Sequence, residues 1–413
     1  MLAAAALAGG CSRSAPKPTV LRFWAMGREG EVLRELLRDF EIEHPGIRVD
    51  VQGLPWTAAH EKLLTAFAGD TTPDLCQLGN TWISEFAALK ALEPLAARAA
   101  GPGGVDTADY FPGIWNTNIV EDTLYGVPWY VDTRLLFYRR DLLAQAGFDE
   151  VPQSWPEWER AMRALKQRAG RDRYAIFLPL NEFEPLVALA LQQNESMLRE
   201  GGRWGNFRGE AFRRTLKFYL SMFEQQLAPP ATNTQIANLY DEFARGYFSF
   251  YITGPWNIGE FKRRLPPGLQ RAWMTAPLPG PDGPGASNAG GSSLVVFRRS
   301  RVKEEAWKLI AYLSRPDVQL RFHELTGNLP PRRSAWGGAL AQDVHARAFR
   351  EQLERAKPTP QVPEWERIAT EIRIVVEHVV KGTMPAGRAP EELDARADRI
   401  LEKRRWLLDR SAA

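Results

Sequence analysis

Apolar positions at the start of the chain switch between a period of two and a period near three and a half. Over residues 19–25, Leu21, Phe23 and Ala25 alternate against Val20, which predicts a strand. Over 31–43, Leu33, Leu36, Leu37 and Phe40 share one helical face, and His44-Pro45-Gly46 stops that helix. Ile47, Val49 and Val51 alternate again as a second strand, which completes a βαβ unit. A helix through 62–67 leads by Gly69-Asp70-Thr71-Thr72-Pro73 into a strand at 74–78, and 82–89 resumes a helix. The N-terminal part therefore reads as an open α/β sheet.

Further along, a strand is predicted at 135–138 and a helix from Asp141, and helical spacing dominates 155–223. Tyr247-Phe248-Ser249-Phe250-Tyr251-Ile252 reads as a buried strand that ends in Thr253-Gly254-Pro255-Trp256. After 274–278 comes the turn-rich stretch 279–291, then a strand at 294–297 and an amphipathic helix carrying Val302, Ala306, Leu309, Ile310 and Leu313. The tail over 365–408 is helical in pattern. A chain of 413 residues exceeds the size at which one core stops growing, so two domains with room for a cleft are expected.

Composition changes this picture in three places. The 53 basic and 50 acidic residues are interleaved and nearly balanced, so charge gives no reason to expect nucleic acid as a partner. There are only two cysteines, and Cys76 reads as an unpaired strand residue with no disulfide. The 14 Trp are more than one core needs to house. Indole faces pack on the C–H faces of sugar rings and the ring N–H donates to hydroxyls, so the surplus points to carbohydrate.

The first residues, Leu2-Ala3-Ala4-Ala5-Ala6-Leu7-Ala8-Gly9-Gly10-Cys11, are apolar, too short to span a bilayer, and end in small side chains before a cysteine. They resemble a bacterial lipoprotein signal, which implies that residues 1–18 are signal and leader and that Cys11 is the lipidated residue. The mature protein would then stand in the periplasm or at the cell surface.

Across the rest of the chain, Pro73-Asp74-Leu75, Gly79-Asn80-Thr81-Trp82-Ile83-Ser84-Glu85-Phe86, Ala91-Leu92-Glu93-Pro94-Leu95 and Gly126-Val127-Pro128 occur in order. They are followed by Leu136-Phe137-Tyr138-Arg139-Arg140-Asp141-Leu142, Gly254-Pro255-Trp256, Gly290-Gly291-Ser292, Glu305-Ala306-Trp307-Lys308-Leu309-Ile310 and Gly327-Asn328-Leu329-Pro330-Pro331-Arg332. Taken in this order, the segments resemble the extracellular solute-binding proteins of bacterial ABC sugar importers, the maltose- and trehalose-binding group. The resemblance implies the two-lobe periplasmic-binding-protein fold, α/β, with a hinge and an interlobe cleft. Lobe one would comprise 19–130 plus 276–326, and lobe two 131–275 plus 327–413. It further implies a monomer that delivers a sugar to ABC permease subunits and touches the membrane only through its lipid anchor.

Within that frame, Trp256 follows a buried strand and a Gly-Pro turn, and the resemblance implies that it is the main sugar-stacking platform. Trp82 and Asn80 lie just beyond the strand at 74–78, where relatives carry ligand contacts. Asp132 stands at the first crossing between lobes, where an ionised carboxylate accepts from two sugar hydroxyls; its alternative is a hinge acid paired with Arg134. Tyr130 lies two residues before Asp132 and hence on the same side of an extended chain, which favours it over Trp129. Glu29 opens the first helix, where an acid also complements the helix dipole. Gly290, Gly291 and Ser292 allow backbone N–H groups to approach a ligand. Arg332, Trp336 and Trp56 resemble further cleft positions. Trp155, Trp158, Trp307 and Trp365 are expected to serve packing.

Catalytic and cofactor signatures are missing. The five histidines, His44, His60, His323, His345 and His378, lack metal-ligand spacing, so neither metal nor cofactor is expected. Neither a phosphate-binding G-x-x-x-x-G-K-[ST] loop nor a G-x-S-x-G elbow occurs. A glycosidase would need only two carboxylates across a sugar bond, so a secreted carbohydrate-active enzyme is the competing class. Within the binding class, a polyol or glycerol-phosphate-like solute is the competing ligand.

Overall fold

The computed structural model describes residues 17–412; Cys11 and its signal-like segment lie outside them. In chain order, β1 (Thr19–Met26), α1 (Gly27–Glu43), β2 (Ile47–Leu54), α2 (Trp56–Ala68) and β3 (Leu75–Gly79) come first. They are followed by β4 (Val127–Asp132), β5 (Leu135–Arg139), β6 (Tyr174–Phe177), α3 (Glu184–Ala190), β7 (Phe248–Thr253) and α4 (Trp256–Arg264). The elements that complete the frame of the site are β8 (Trp273–Ala276), β9 (Gly290–Val296), α5 (Pro316–Thr326) and α6 (Trp365–Val380).

The principal strands form two sheets, one ordered β2-β1-β3-β9-β4 and the other β8-β5-β7-β6. β1 runs parallel to β2 and β3, whereas β9 is antiparallel to both β3 and β4. The βαβ reading holds because β1 buries Leu21, Phe23 and Ala25 on one face, and α1 buries Leu33, Leu36, Leu37 and Phe40 against it. In the second sheet every residue of β7 is buried, as expected of a central strand covered on both sides.

The chain passes between the sheets three times. It leaves β4 at Asp132 and enters β5 at Leu135; it leaves β8 at Ala276 and enters β9 at Gly290. After α5 it returns alongside β4, where Val131 bridges Leu329. The first two crossings are tied side by side: the Thr133 hydroxyl donates to Asn288 O at 2.8 Å, and the Ser287 hydroxyl donates to Arg134 O at 2.6 Å.

Two elements depart from the sequence pattern. β6 lies inside the stretch read as helical; it is four residues, Tyr-Ala-Ile-Phe, too short and too apolar for period to identify it. β9 begins at Gly290 rather than 294, so Gly290, Gly291 and Ser292 are ladder residues and not a turn before the strand. Gly291 has φ +130, and a Cβ there would collide with the carbonyl oxygen of Tyr130, so the close ladder requires glycine.

Candidate functional site

The strands of the first sheet converge on one polar network. Gln77, on β3, accepts from the Met26 N–H at 2.7 Å and donates through Nε2 to the hydroxyls of Tyr130 and Ser292, both at 3.3 Å. The Ser292 hydroxyl donates in turn to Tyr130 at 3.1 Å. Glu29, at the start of α1, accepts from Asn328 Nδ2 at 2.8 Å and faces the Tyr130 hydroxyl. Burial, reinforced by the Glu29 charge, pushes that hydroxyl well above its ordinary titration range, so it stays protonated. β1, β3, β4, β9 and the segment after α5 are thus locked together where they end.

Beside this network the first crossing presents a cation. Arg134 reaches Asp132 through Nη1 at 2.6 Å and Glu184, at the head of α3, through Nη2 at 3.0 Å. Its guanidinium carbon lies 4.6 Å from the centre of the Trp256 indole, a cation–π contact. Trp256 opens α4 directly after β7, and its ring lies back over Gly254, where any Cβ would collide with it. The residue is 42% exposed while Arg134 is 7% exposed, so a buried cation underpins an open aromatic face. Burial raises the Asp132 carboxyl above the usual carboxylate range against the pull of Arg134. Burial acts in the same direction on Glu182, whose carboxylate accepts from Asn233 Nδ2 at 3.1 Å.

A second aromatic wall stands on the first sheet's side. Trp82 lies against Gly79, with its ring centre 5.7 Å from Trp56 and 4.9 Å from His60. Trp56 is 36% exposed. His60 is fixed by Glu85 at 2.6 Å, a hydrogen bond that raises its titration point. Glu366, the second residue of α6, faces the Thr81 hydroxyl beside Trp82 and senses the charges of Glu184, His60 and Glu85. Glu366 therefore stands beside the aromatic wall.

Of the residues singled out from sequence, these networks bring together Glu29, Trp56, Trp82, Tyr130, Asp132, Trp256, Gly290, Gly291 and Ser292. Asp132 pairs with Arg134, the alternative weighed for it, yet keeps 31% of its side chain exposed. Tyr130 and Ser292 are buried and bonded to each other, so they form the floor of the site rather than its surface. Asn80 is buried and commits its N–H to Ala289 O at 2.8 Å.

Arg332 and Trp336 are corrections. The Arg332 guanidinium donates to Asp109 and to Ser314 O, both at 2.7 Å, and lies over Tyr110. Trp336 is buried against Phe111, and its N–H is taken by Pro330 O. Both hold the third crossing in place, and Trp336 keeps no donor for a ligand.

Sequence reasoning did not single out Gln77, His60, Glu182, Glu184, Asn328 or Glu366, and considered Arg134 only as a partner for Asp132. No local motif marks them, because each acts through residues distant in sequence; Arg134 and Glu184 are 50 positions apart. A cavity of about 650 Å³ lies elsewhere, between α4, α5 and residues 339–345, and none of the expected residues line it.

With the geometry described, comparison with known proteins identifies the class. The model of the bacterial extracellular solute-binding proteins matches residues 25–320, and the chain belongs to that family. The sugar-binding protein MalE of the phytopathogen Xanthomonas citri is 57% identical, with a TM-score of 0.93 over 95% of this chain and 99% of that one. An ABC transporter solute-binding protein of Thermotoga lettingae, bound with α-D-tagatose, is 26% identical with a TM-score of 0.76, over 92% of this chain and 99% of that one. The diacetylchitobiose-binding protein DasA of Streptomyces coelicolor is 23% identical over 86% of this chain and 84% of its own. The fold is the maltose-binding-protein-like one, and the chain is a binding protein and not an enzyme.

Proposed function

We propose that this chain is the sugar-binding component of a bacterial ABC importer, and that it holds a mono- or oligosaccharide between Trp256 and the wall made by Trp82 and Trp56. The observation that carries this reading is the contrast among the indoles. Trp129, Trp155, Trp158, Trp273, Trp307, Trp336 and Trp365 are buried, whereas Trp256 and Trp56 remain open beside the Arg134 and His60 networks; Trp406, also open, lies in the C-terminal helix against Arg410 and has no such surroundings among the described residues. An open indole flanked by hydroxyl acceptors is the surface a sugar ring needs, apolar on its face and polar at its rim. Asp132 contributes its exposed carboxylate edge, and Gly290 and Gly291 contribute backbone at close approach.

Each sheet with its helices acts as a lobe; the divisions expected at 130/131 and 275/276 move to the crossings that follow Asp132 and Ala276, because β4 runs to Asp132 in the first sheet and β8 to Ala276 in the second, and these crossings serve as the hinge. Ligand that touches both lobes stabilises the closed form, and the closed form docks the permease as a monomer. The protein works outside the cytoplasm, and Cys11 is the point of lipid attachment.

The test is a calorimetric screen of wild-type protein and Trp256→Ala against maltose, trehalose, galacto-oligosaccharides and diacetylchitobiose. At least one sugar binds the wild type and loses about 2 kcal/mol or more of binding energy in the variant, as expected of a buried aromatic anchor. Equal affinities in the two proteins would remove Trp256 from the site.

A further inference from the structure

The Trp256 indole rests against the Arg134 guanidinium, 4.6 Å from its ring centre, and against the backbone of Gly254. Neither contact fixes an angle, so the ring takes its orientation from the first turn of α4. No side chain caps that turn at Pro255, and Ile258 and Phe261, which anchor α4 in the core, are apolar. Among the described residues, the side chain that ties the turn down by hydrogen bonds is Asn257, which is only 3% exposed. Its Oδ1 accepts from the Tyr240 hydroxyl at 2.9 Å, and its Nδ2 donates to the Thr253 hydroxyl at 2.7 Å. Thr253 ends β7. Tyr240, on the short helix Leu239–Ala244, is braced by the Phe261 ring at 5.6 Å and the Arg264 guanidinium at 4.9 Å. The amide therefore joins the strand before the Gly-Pro turn to a helix that packs on α4.

A buried amide brings little net stability over an apolar group of the same shape, so stability alone does not call for asparagine at this place. What the amide adds is direction, because hydrogen bonds weaken steeply when bent and a fully satisfied network admits one arrangement. We propose that Asn257 is a positioning residue of the sugar site: its amide, held between Tyr240 and Thr253, sets the angle at which Trp256 meets the ligand. Neighbouring residues on a helix point about 100° apart, so an Asn257 fixed inward turns Trp256 outward, over Gly254 and against Arg134. Buried beneath the platform, Asn257 acts through Trp256. The inference rests on the sugar-binding reading for its consequence, since an indole at the wrong angle loses the face of the sugar ring.

The experiment labels the full chain with 5-fluorotryptophan and assigns the Trp256 fluorine line by its absence in Trp256→Ala. In Asn257→Leu, with folding checked by thermal unfolding, that line shifts and broadens while the lines of the buried indoles stay in place. Tyr240→Phe removes one of the two bonds and keeps the shape of the core, so it moves the line the same way by less. Calorimetry follows with maltose, trehalose, galacto-oligosaccharides and diacetylchitobiose. Whichever sugar binds the wild type binds Asn257→Leu about tenfold more weakly, the size of coupling expected within one hydrogen-bonded network. A purely structural role would lower the unfolding midpoint and leave the Trp256 line and the affinity of the folded protein unchanged, and that result overturns the inference while sugar binding stands. If Asn257→Leu does not fold, the line and the affinity of Tyr240→Phe decide alone. If no sugar binds the wild type, the sugar reading fails by its own test, and the fluorine line still upholds or overturns Asn257 as the residue that sets the indole.

Discussion

Removing the guanidinium of Arg134 tests the central claim about the site, that one buried cation holds three of its parts. In Arg134→Met the bonds to Asp132 at 2.6 Å and Glu184 at 3.0 Å disappear together with the contact to Trp256. Breaking a buried ion pair by deleting one partner costs about 3–5 kcal/mol, because the remaining charges stay uncompensated. Here the lower end applies, since Asp132 and Glu184 keep 31% and 27% of their side chains exposed and water solvates them in part. Loss of the cation–π contact adds about 1 kcal/mol. A total near 4 kcal/mol, set against an unfolding entropy of about 0.9 kcal/mol/K for a chain of this length, should lower the midpoint of thermal unfolding by roughly 5 °C at pH 7. The pH dependence provides the sharper check. Asp132 is held above the usual carboxylate range by burial, and without Arg134 the opposing pull is gone, so its titration point rises further. An acid whose folded-state value lies above its unfolded value costs stability at high pH, and the cost vanishes as pH falls below the unfolded value. The deficit of the variant should therefore shrink between pH 7 and pH 4, measured by urea unfolding at both. A loss under about 1 kcal/mol at pH 7, or a deficit that does not change with pH, would refute the reasoning.

Three further outcomes follow from the same geometry. Gly291→Ala should lower the unfolding midpoint and weaken sugar binding together, because φ +130 and the Tyr130 carbonyl both reject a Cβ; normal values for both would show that the ladder yields there. Saturating sugar should reduce the radius of gyration in solution scattering, since the crossings at 133–134 and 277–289 are the joints on which closure turns, and an unchanged radius would mean a preformed pocket. Cys11→Ser should release the protein from the membrane fraction of its native host or leave it unprocessed; a wild-type protein found soluble with an intact N-terminus would refute lipidation.

The elements that the sequence displayed best are those whose burial is one-sided. β1 and α1 alternate cleanly because each has one face on a core and one in water, so the apolar period is visible. β6 is apolar throughout and gives no period to read. For the site, residue type carried part of the message, since an indole after a Gly-Pro turn at the end of a buried strand has few places to go but outward. Type alone failed for Arg332 and Trp336, which have the chemistry of ligand contacts and spend it on Asp109, Ser314 and Pro330. Asp109 lies 223 positions away from Arg332, and nothing local announces it. Glu366 escaped notice for the same reason: its neighbours Thr81 and His60 come from the far end of the chain, and an acid in the first turn of a helix is explained equally well by the helix dipole.

The unequal burial of the tryptophans also determines what light reports about this molecule. Seven indoles sealed in the cores emit from surroundings that a ligand does not alter, and they supply a constant background. On the proposed binding mode, the indoles whose surroundings change are Trp256, with the Arg134 guanidinium against its ring, and Trp82, beside Trp56 and His60. Emission from such rings is quenched or shifted by a nearby charge and by water, and a bound sugar displaces the water. On that binding mode the protein carries its own optical gauge of filling, read as a difference spectrum above the emission of its other tryptophans.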